Sequence, residues 1–232
     1  MTHDEGGAAL IIALMAVALL SALGLGLALS TMTDALVAGS FGVAQETLYA
    51  ADGAIELGVA ELARNADWNG MLRGSVASTF VDGPGDGQRT LPDGSTLDLA
   101  AATNVLDCNH PQPCSIAEMD ASVGVRQWGA NNPRWQLFAW GPLKRALTTS
   151  GRSVASDIYT VVWIGDDQAE NDGDPTTDGT TAANPGENTV VLHAEAYGVR
   201  GARKVIEATV TRRADAGAIG SVRIVSWRTL TP

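Results

Sequence analysis

The sequence predicts an α+β chain in which a long N-terminal helix, apolar first and amphipathic later, packs on an antiparallel β-sheet. Three observations carry this. A charge-free apolar run opens the chain, helix-compatible residues with an apolar stripe follow it, and the C-terminal third contains alternating apolar and β-branched runs separated by glycine turns.

The apolar run from Ala8 to Leu29 is broken only by Ser21 and glycines, and the first Lys or Arg of the chain is Arg64. At about 1.5 Å per residue it makes roughly 33 Å of helix, enough for a bilayer core. A cleaved secretory signal has a basic n-region and a shorter apolar stretch, so it matches this start poorly. From residue 30 to Arg64 the apolar positions Leu36, Leu48, Ile55, Val59 and Leu62 recur among Asp34, Gln45, Glu46, Asp52, Glu56 and Glu61, as on one side of a helix. Gly39, Gly42 and Gly53 each cost about 1 kcal/mol relative to Ala inside a helix, which predicts a bend or break near them.

Residues 65–232 would form the globular part. The turn-rich stretch Asn65 to Gly94, with Asp82-Gly83-Pro84-Gly85-Asp86-Gly87 and Pro92-Asp93-Gly94, reads as a loop. Strands are expected at Thr96–Leu99, at Arg134–Trp140, at Asp157–Ile164, and at Thr189–Tyr197 paired through Gly198-Val199-Arg200-Gly201 with Lys204–Thr211. Ile219 to Leu230 offers one more.

Composition narrows the function classes. The 232 residues carry 26 acids against 15 Lys and Arg, a formal charge of −11, which argues against a general nucleic-acid binder, since phosphate contacts need a basic face. No G-x-S-x-G, H-E-x-x-H, phosphate-binding loop or dinucleotide fingerprint is present, so no enzyme is predicted.

Two clusters remain. Asp166, Asp167, Glu170, Asp172, Asp174 and Asp178 lie close together around Asn171 between two expected strands. Flexible loops rich in such oxygens hold hard cations, which makes calcium the candidate ligand, against the plainer alternative of a solvated acidic loop. Asp174-x-Thr176-x-Asp178-Gly179 opens like an EF-hand loop, but Pro185 stands where the twelfth-position Glu belongs. The second cluster is Cys108-Asn109-His110-Pro111-Gln112-Pro113-Cys114, which supports either a disulfide in an oxidising compartment or a zinc set of Cys108, His110 and Cys114 completed by His193 or Asp107. Of the six tryptophans, most are expected in the core. Arg200, Arg203 and Lys204 at the hairpin read as a solvated basic turn.

A short polar leader ending in glycine, then Gly7-Ala8-Ala9-Leu10-Ile11-Ile12-Ala13-Leu14, then Tyr49-Ala50-Ala51-Asp52-Gly53-Ala54, resembles the N-terminal region of PilX-type type IV minor pilins, relatives of the K-type minor pseudopilin of type II secretion. The resemblance covers about the first 60 residues. It implies a pilin-like fold, a leader over residues 1–7 removed by prepilin peptidase between Gly7 and Ala8, and a membrane helix over 8–29. It also implies a subunit that initiates or caps a pilus-like filament, with other minor pilins, a major pilin and a tip adhesin as partners. The inner membrane would hold the subunit, with the C-terminal domain outside. Most pilins carry a glutamate at mature position five; Ile12 stands there in this chain, as a residue without a carboxylate commonly does in this family. Asp4 and Glu5 depart from the basic leader usual in it. The rival reading is a membrane-anchored calcium-binding adhesion domain outside any pilus, and a third is an anchored zinc hydrolase.

Overall fold

The computed structural model describes residues 6–148, 156–170, 172–179, 188–213 and 221–231. The chain divides into two compact units, Met1–Val43 and Ala44–Pro232. The first helix, α1, runs from Gly6 to Arg64.

Within the first unit α1 is charge-free up to Asp34, and its apolar side chains from Leu10 to Phe41 are exposed. It is long and apolar enough to cross a membrane. Several of its hydroxyls turn back on their own helix: Ser21 Oγ donates to the Val17 carbonyl at 2.8 Å, Thr33 Oγ1 to Leu29 at 3.0 Å, and Ser40 Oγ to Val37 at 2.8 Å. A hydroxyl satisfied in this way can enter an apolar surround without a lost hydrogen bond.

Of the bend or break expected near Gly39, Gly42 and Gly53, no break occurs: all three lie within α1. For Gly53 the reason lies in its neighbours, since Ala50, Ala51, Ala54 and Ile55 are buried and their packing outweighs the helix cost of one glycine.

In the second unit the buried seam of α1 is Thr47, Ala50, Ala51, Ala54, Ile55 and Leu62, at helical spacing. Alanines dominate because the helix lies close on a sheet, and Gly58 meets Leu192 there. The loop expected over 65–94 is only partly a loop. It contains a short helix α2 (Trp68–Leu72), capped by Asp67, whose Oδ1 accepts the Gly70 N–H at 2.8 Å, and a strand β1 (Gln88–Thr90). β1 pairs antiparallel with β2 (Thr96–Asp98). A helix α3 (Leu99–Cys108) begins at once, because Asp98 Oδ1 accepts the Ala101 N–H at 2.9 Å, and it ends on Asn109 in the left-handed conformation at φ 64°. A single turn of helix, α4 (Ile116–Met119), carries a capping box between Ser115 and Glu118.

The main sheet is an antiparallel meander of β3 (Gln136–Pro142), β4 (Tyr159–Asp166), β5 (Thr189–Tyr197), β6 (Arg203–Arg212) and β7 (Val222–Leu230), in that spatial order. A helix α5 (Leu143–Thr148) follows β3. Every residue of β4 is buried, and β5 is buried from Val190 onward, because both faces of the sheet are covered. On one face Val162, Ile164, Leu192, Ala194, Ile206, Ala208 and Val210 meet the α1 seam. On the other, Tyr159, Val161, Trp163 and Val191 meet Trp135, Trp140, Leu91 and Leu99. Trp68, Trp135, Trp140 and Trp163 are core residues, whereas Trp128 and Trp227 are half exposed.

Arg212 closes the C-terminal end of α1. Its guanidinium donates to the carbonyls of Asn65 at 2.6 Å and Ala66 at 3.0 Å while lying 4.1 Å from the Trp68 ring centroid. It satisfies carbonyls that the helix cannot.

Candidate metal centre

The acidic stretch begins where β4 ends. Asp166 still pairs in register with Val190 of β5, and it is only 5% exposed. The chain then turns: the Glu170 N–H donates to the Asp167 carbonyl at 3.0 Å, and the Glu170 carbonyl accepts from Asn131 Nδ2, bringing Glu170 back to 1% exposure. Asp178 arrives from the far side of the connection. Its N–H donates to Asn69 Oδ1 of α2 at 2.6 Å, and its Oδ1 accepts the Thr189 N–H of β5 at 3.3 Å. One carboxylate oxygen from each of Asp166, Glu170 and Asp178 lies within 4.8 Å of the others.

Electrostatics at this cluster oppose the ionisation of all three carboxylates. Burial, followed by the charges of Glu170, Asp178 and Asp172, pushes Asp166 up to about 9. Burial and then Asp172 and Asp178 push Glu170 up to about 7. Asp166 Oδ1 is buried without a hydrogen-bond partner among the described residues. A divalent cation or bound protons would relieve that repulsion.

The other acids serve their own turns. Asp167 Oδ1 accepts the Ala169 N–H at 3.3 Å, and Asp172 Oδ1 accepts the Asp174 N–H at 2.7 Å. Asp174 Oδ1 accepts the Thr176 N–H at 3.1 Å and its hydroxyl at 2.6 Å, and those bonds, its hydroxyl first, hold Asp174 below the usual carboxylate range. The structure therefore gathers Asp166, Glu170 and Asp178, with Asp172 adding charge nearby, and leaves Asp167 and Asp174 in local turns. The EF-hand-like opening does not act as one unit, since Asp174 faces Thr176 while Asp178 joins residues upstream. Asn171 and Pro185 lie outside the described residues.

Cys108 and Cys114 are joined in a disulfide across a Cα separation of 6.0 Å. The zinc set does not assemble. Both sulfurs are bonded to each other, and His110 Nε2 lies 3.2 Å from Glu118 Oε1. Asp107 accepts the Trp135 N–H at 2.9 Å and is pushed up to about 6, chiefly by burial.

His193 belongs to a charge network that sequence reading missed. On β5, His193, Glu195 and Tyr197 share one face, and β6 supplies Arg203 and Glu207. His193 Nε2 lies 3.3 Å from Glu195 Oε1, Nδ1 lies 3.8 Å from Glu207 Oε2, and the ring sits between Trp135 and Trp163. The i, i+2 spacing of His, Glu and Tyr within an apolar strand was the available signal. Gly7 lies in α1, and residues 1–5 of the leader lie outside the described residues.

No protein-family model, no curated protein and no solved structure matches the chain.

Proposed function

We propose that this chain is a minor-pilin-like structural subunit, anchored by α1 in the cytoplasmic membrane and acting in assembly of a type IV pilus-like filament. The observation that carries the reading is α1 itself. One helix presents a charge-free apolar stretch in its first part and, from Ala44 onward, an alanine-rich seam that completes the core of a globular domain. An ordinary membrane anchor needs no such continuation, because a flexible linker would hold a domain at the membrane equally well.

On this reading prepilin peptidase cleaves between Gly7 and Ala8, and the domain stands outside the membrane, where its disulfide is stable. The exposed apolar side chains pack against the helices of neighbouring subunits, in a heterologous contact that propagates as an open helix. Ser21, Gly24 and Gly26 permit close helix approach. Ile12 leaves the mature fifth position without a carboxylate, which suits a subunit at the filament tip, where no further subunit amine waits above it to be paired. The partners are other minor pilins, the major pilin and a tip adhesin. The role is assembly, with no substrate turned over.

The test is the mass of the N-terminal peptide of the protein recovered from membranes, with and without active prepilin peptidase. A peptidase-dependent start at Ala8 is expected. Retention of Met1 in both cases overturns the reading and leaves an anchored domain outside any pilus.

A further inference from the structure

We propose that Asp166, Glu170 and Asp178 are the protein ligands of a calcium ion that ties the end of β4 to the start of β5. The inference is independent of the filament reading, since it concerns the globular unit alone. Two separate observations support it. The first is convergence: three carboxylates from 13 residues of chain offer oxygens all within 4.8 Å of one another. The second is Asp166, which is 5% exposed and whose Oδ1 is buried with no hydrogen-bond partner among the described residues. An ionised carboxylate in such a place is costly unless a cation meets it.

No Lys or Arg pairs with Asp166 among the described residues; the charge of Arg212 is felt at Asp178, not at Asp166. The chemistry of the donors then selects the ion. All three are hard oxygens, and no sulfur or imidazole belongs to the cluster, which disfavours zinc and copper. Magnesium demands a near-ideal octahedron and keeps most of its water, whereas calcium accepts six to eight oxygens in irregular loops, with carboxylates binding through one or both atoms. The charge of Asp172, close enough to disturb both Asp166 and Glu170, adds attraction for a divalent cation.

The surrounding bonds say what the ion would do. Asp178 is held by Asn69 of α2 and by Thr189 of β5, Glu170 is held by Asn131, and Asp166 is part of the β4–β5 ladder. An ion at this point joins four separate parts of the domain. Its role is to brace the outer end of the sheet.

The experiment uses the full chain in detergent micelles, stripped with a chelator and titrated with calcium by calorimetry, alongside thermal unfolding in chelator, in 10 mM calcium and in 10 mM magnesium. Calcium is expected to raise Tm by roughly 3–8 °C and magnesium by far less. Asp166→Asn and Glu170→Gln are each expected to weaken calcium binding at least about tenfold, while their Tm in chelator equals or exceeds that of the wild type, because a buried repulsion has been relieved. Asp174→Asn, outside the cluster, keeps the calcium response. The proposal is overturned if calcium gives the wild type no heat of binding and no more Tm shift than magnesium, or if the response survives in both Asp166→Asn and Glu170→Gln.

Discussion

Arg203 grips the buried carboxylate of Glu195 at two points, with Nε 3.0 Å from Oε2 and Nη2 2.6 Å from Oε1. Glu195 is 3% exposed and also accepts from the Tyr197 hydroxyl, so its charge is met from several sides. Among the described residues, Arg203→Met removes the one positive charge bonded directly to it that does not depend on pH. A loss of about 2–4 kcal/mol is expected, less than for a fully buried pair because the Arg203 side chain is 42% exposed. Denaturant unfolding of wild type and variant measures it, and a difference below about 0.5 kcal/mol would show the pair to be neutral.

His193 makes the same network pH-dependent. Burial alone would lower its pKa, but hydrogen bonds and charge from Glu195 and Glu207 outweigh that and raise it above the ordinary 6.5. Its stabilisation is therefore full below 6.5 and is lost as pH rises through the raised folded value. Glu195 runs the other way. Despite burial, bonds from His193 and Arg203 hold it down to about 2, so its contribution is present above 4.5 and disappears as pH falls toward 2. The Tm gap between wild type and His193→Gln is expected to be widest between pH 4.5 and 6.5 and to narrow in alkaline buffer. A gap independent of pH would mean that His193 contributes packing alone.

Gly58 sets how closely α1 approaches the sheet. A Cβ placed there would stand 2.9 Å from Leu192 Cδ1, a contact that only rotation of Leu192 could relieve. Gly58→Ala should change stability little, because helix propensity and the clash oppose each other. Gly58→Leu is expected to cost about 1–3 kcal/mol by overpacking. The double variant Gly58→Leu with Leu192→Ala should lose less stability than the sum of the two single losses, because the added side chain fills the space that Leu192 vacates; simple additivity would place the strain elsewhere.

The disulfide between Cys108 and Cys114 closes a loop with a sequence separation of 6. Chain-entropy reasoning for so short a loop gives about 2 kcal/mol, the amount that Cys108→Ala with Cys114→Ala should remove. Alkylation of the unreduced, denatured protein should add no mass. Uptake of two alkyl groups by material taken from the membrane fraction would contradict the bond.

The long helix and the β4, β5 and β6 strands were legible because their signals are local and repeated. An uncharged apolar run, helical spacing of apolar residues, and β-branched alternation around a glycine turn each identify an element without reference to distant residues. The short elements were not. α2 and β1 lie in a stretch dominated by Gly, Pro and Asp, and α3 is announced only by the Asp98 cap and three alanines. Such pieces draw their stability from packing, as Trp68 and Leu99 show by being almost fully buried.

The sequence by itself determined that this chain carries a membrane-length helix, an antiparallel sheet and a dense acidic connection. Those properties follow from composition and periodicity along the chain. Only the tertiary structure decided which acids converge, because Asp178 reaches Asp166 and Glu170 through bonds to Asn69 and Thr189, residues on other elements. It likewise withdrew His193 from the zinc set and placed it between Glu195 and Glu207, an arrangement created by the pairing of β5 with β6. The physical reason is that charge–charge and metal-ligand chemistry depends on distances of a few ångströms in space, and these are set by how the two faces of the sheet are covered, which spacing along the chain does not encode.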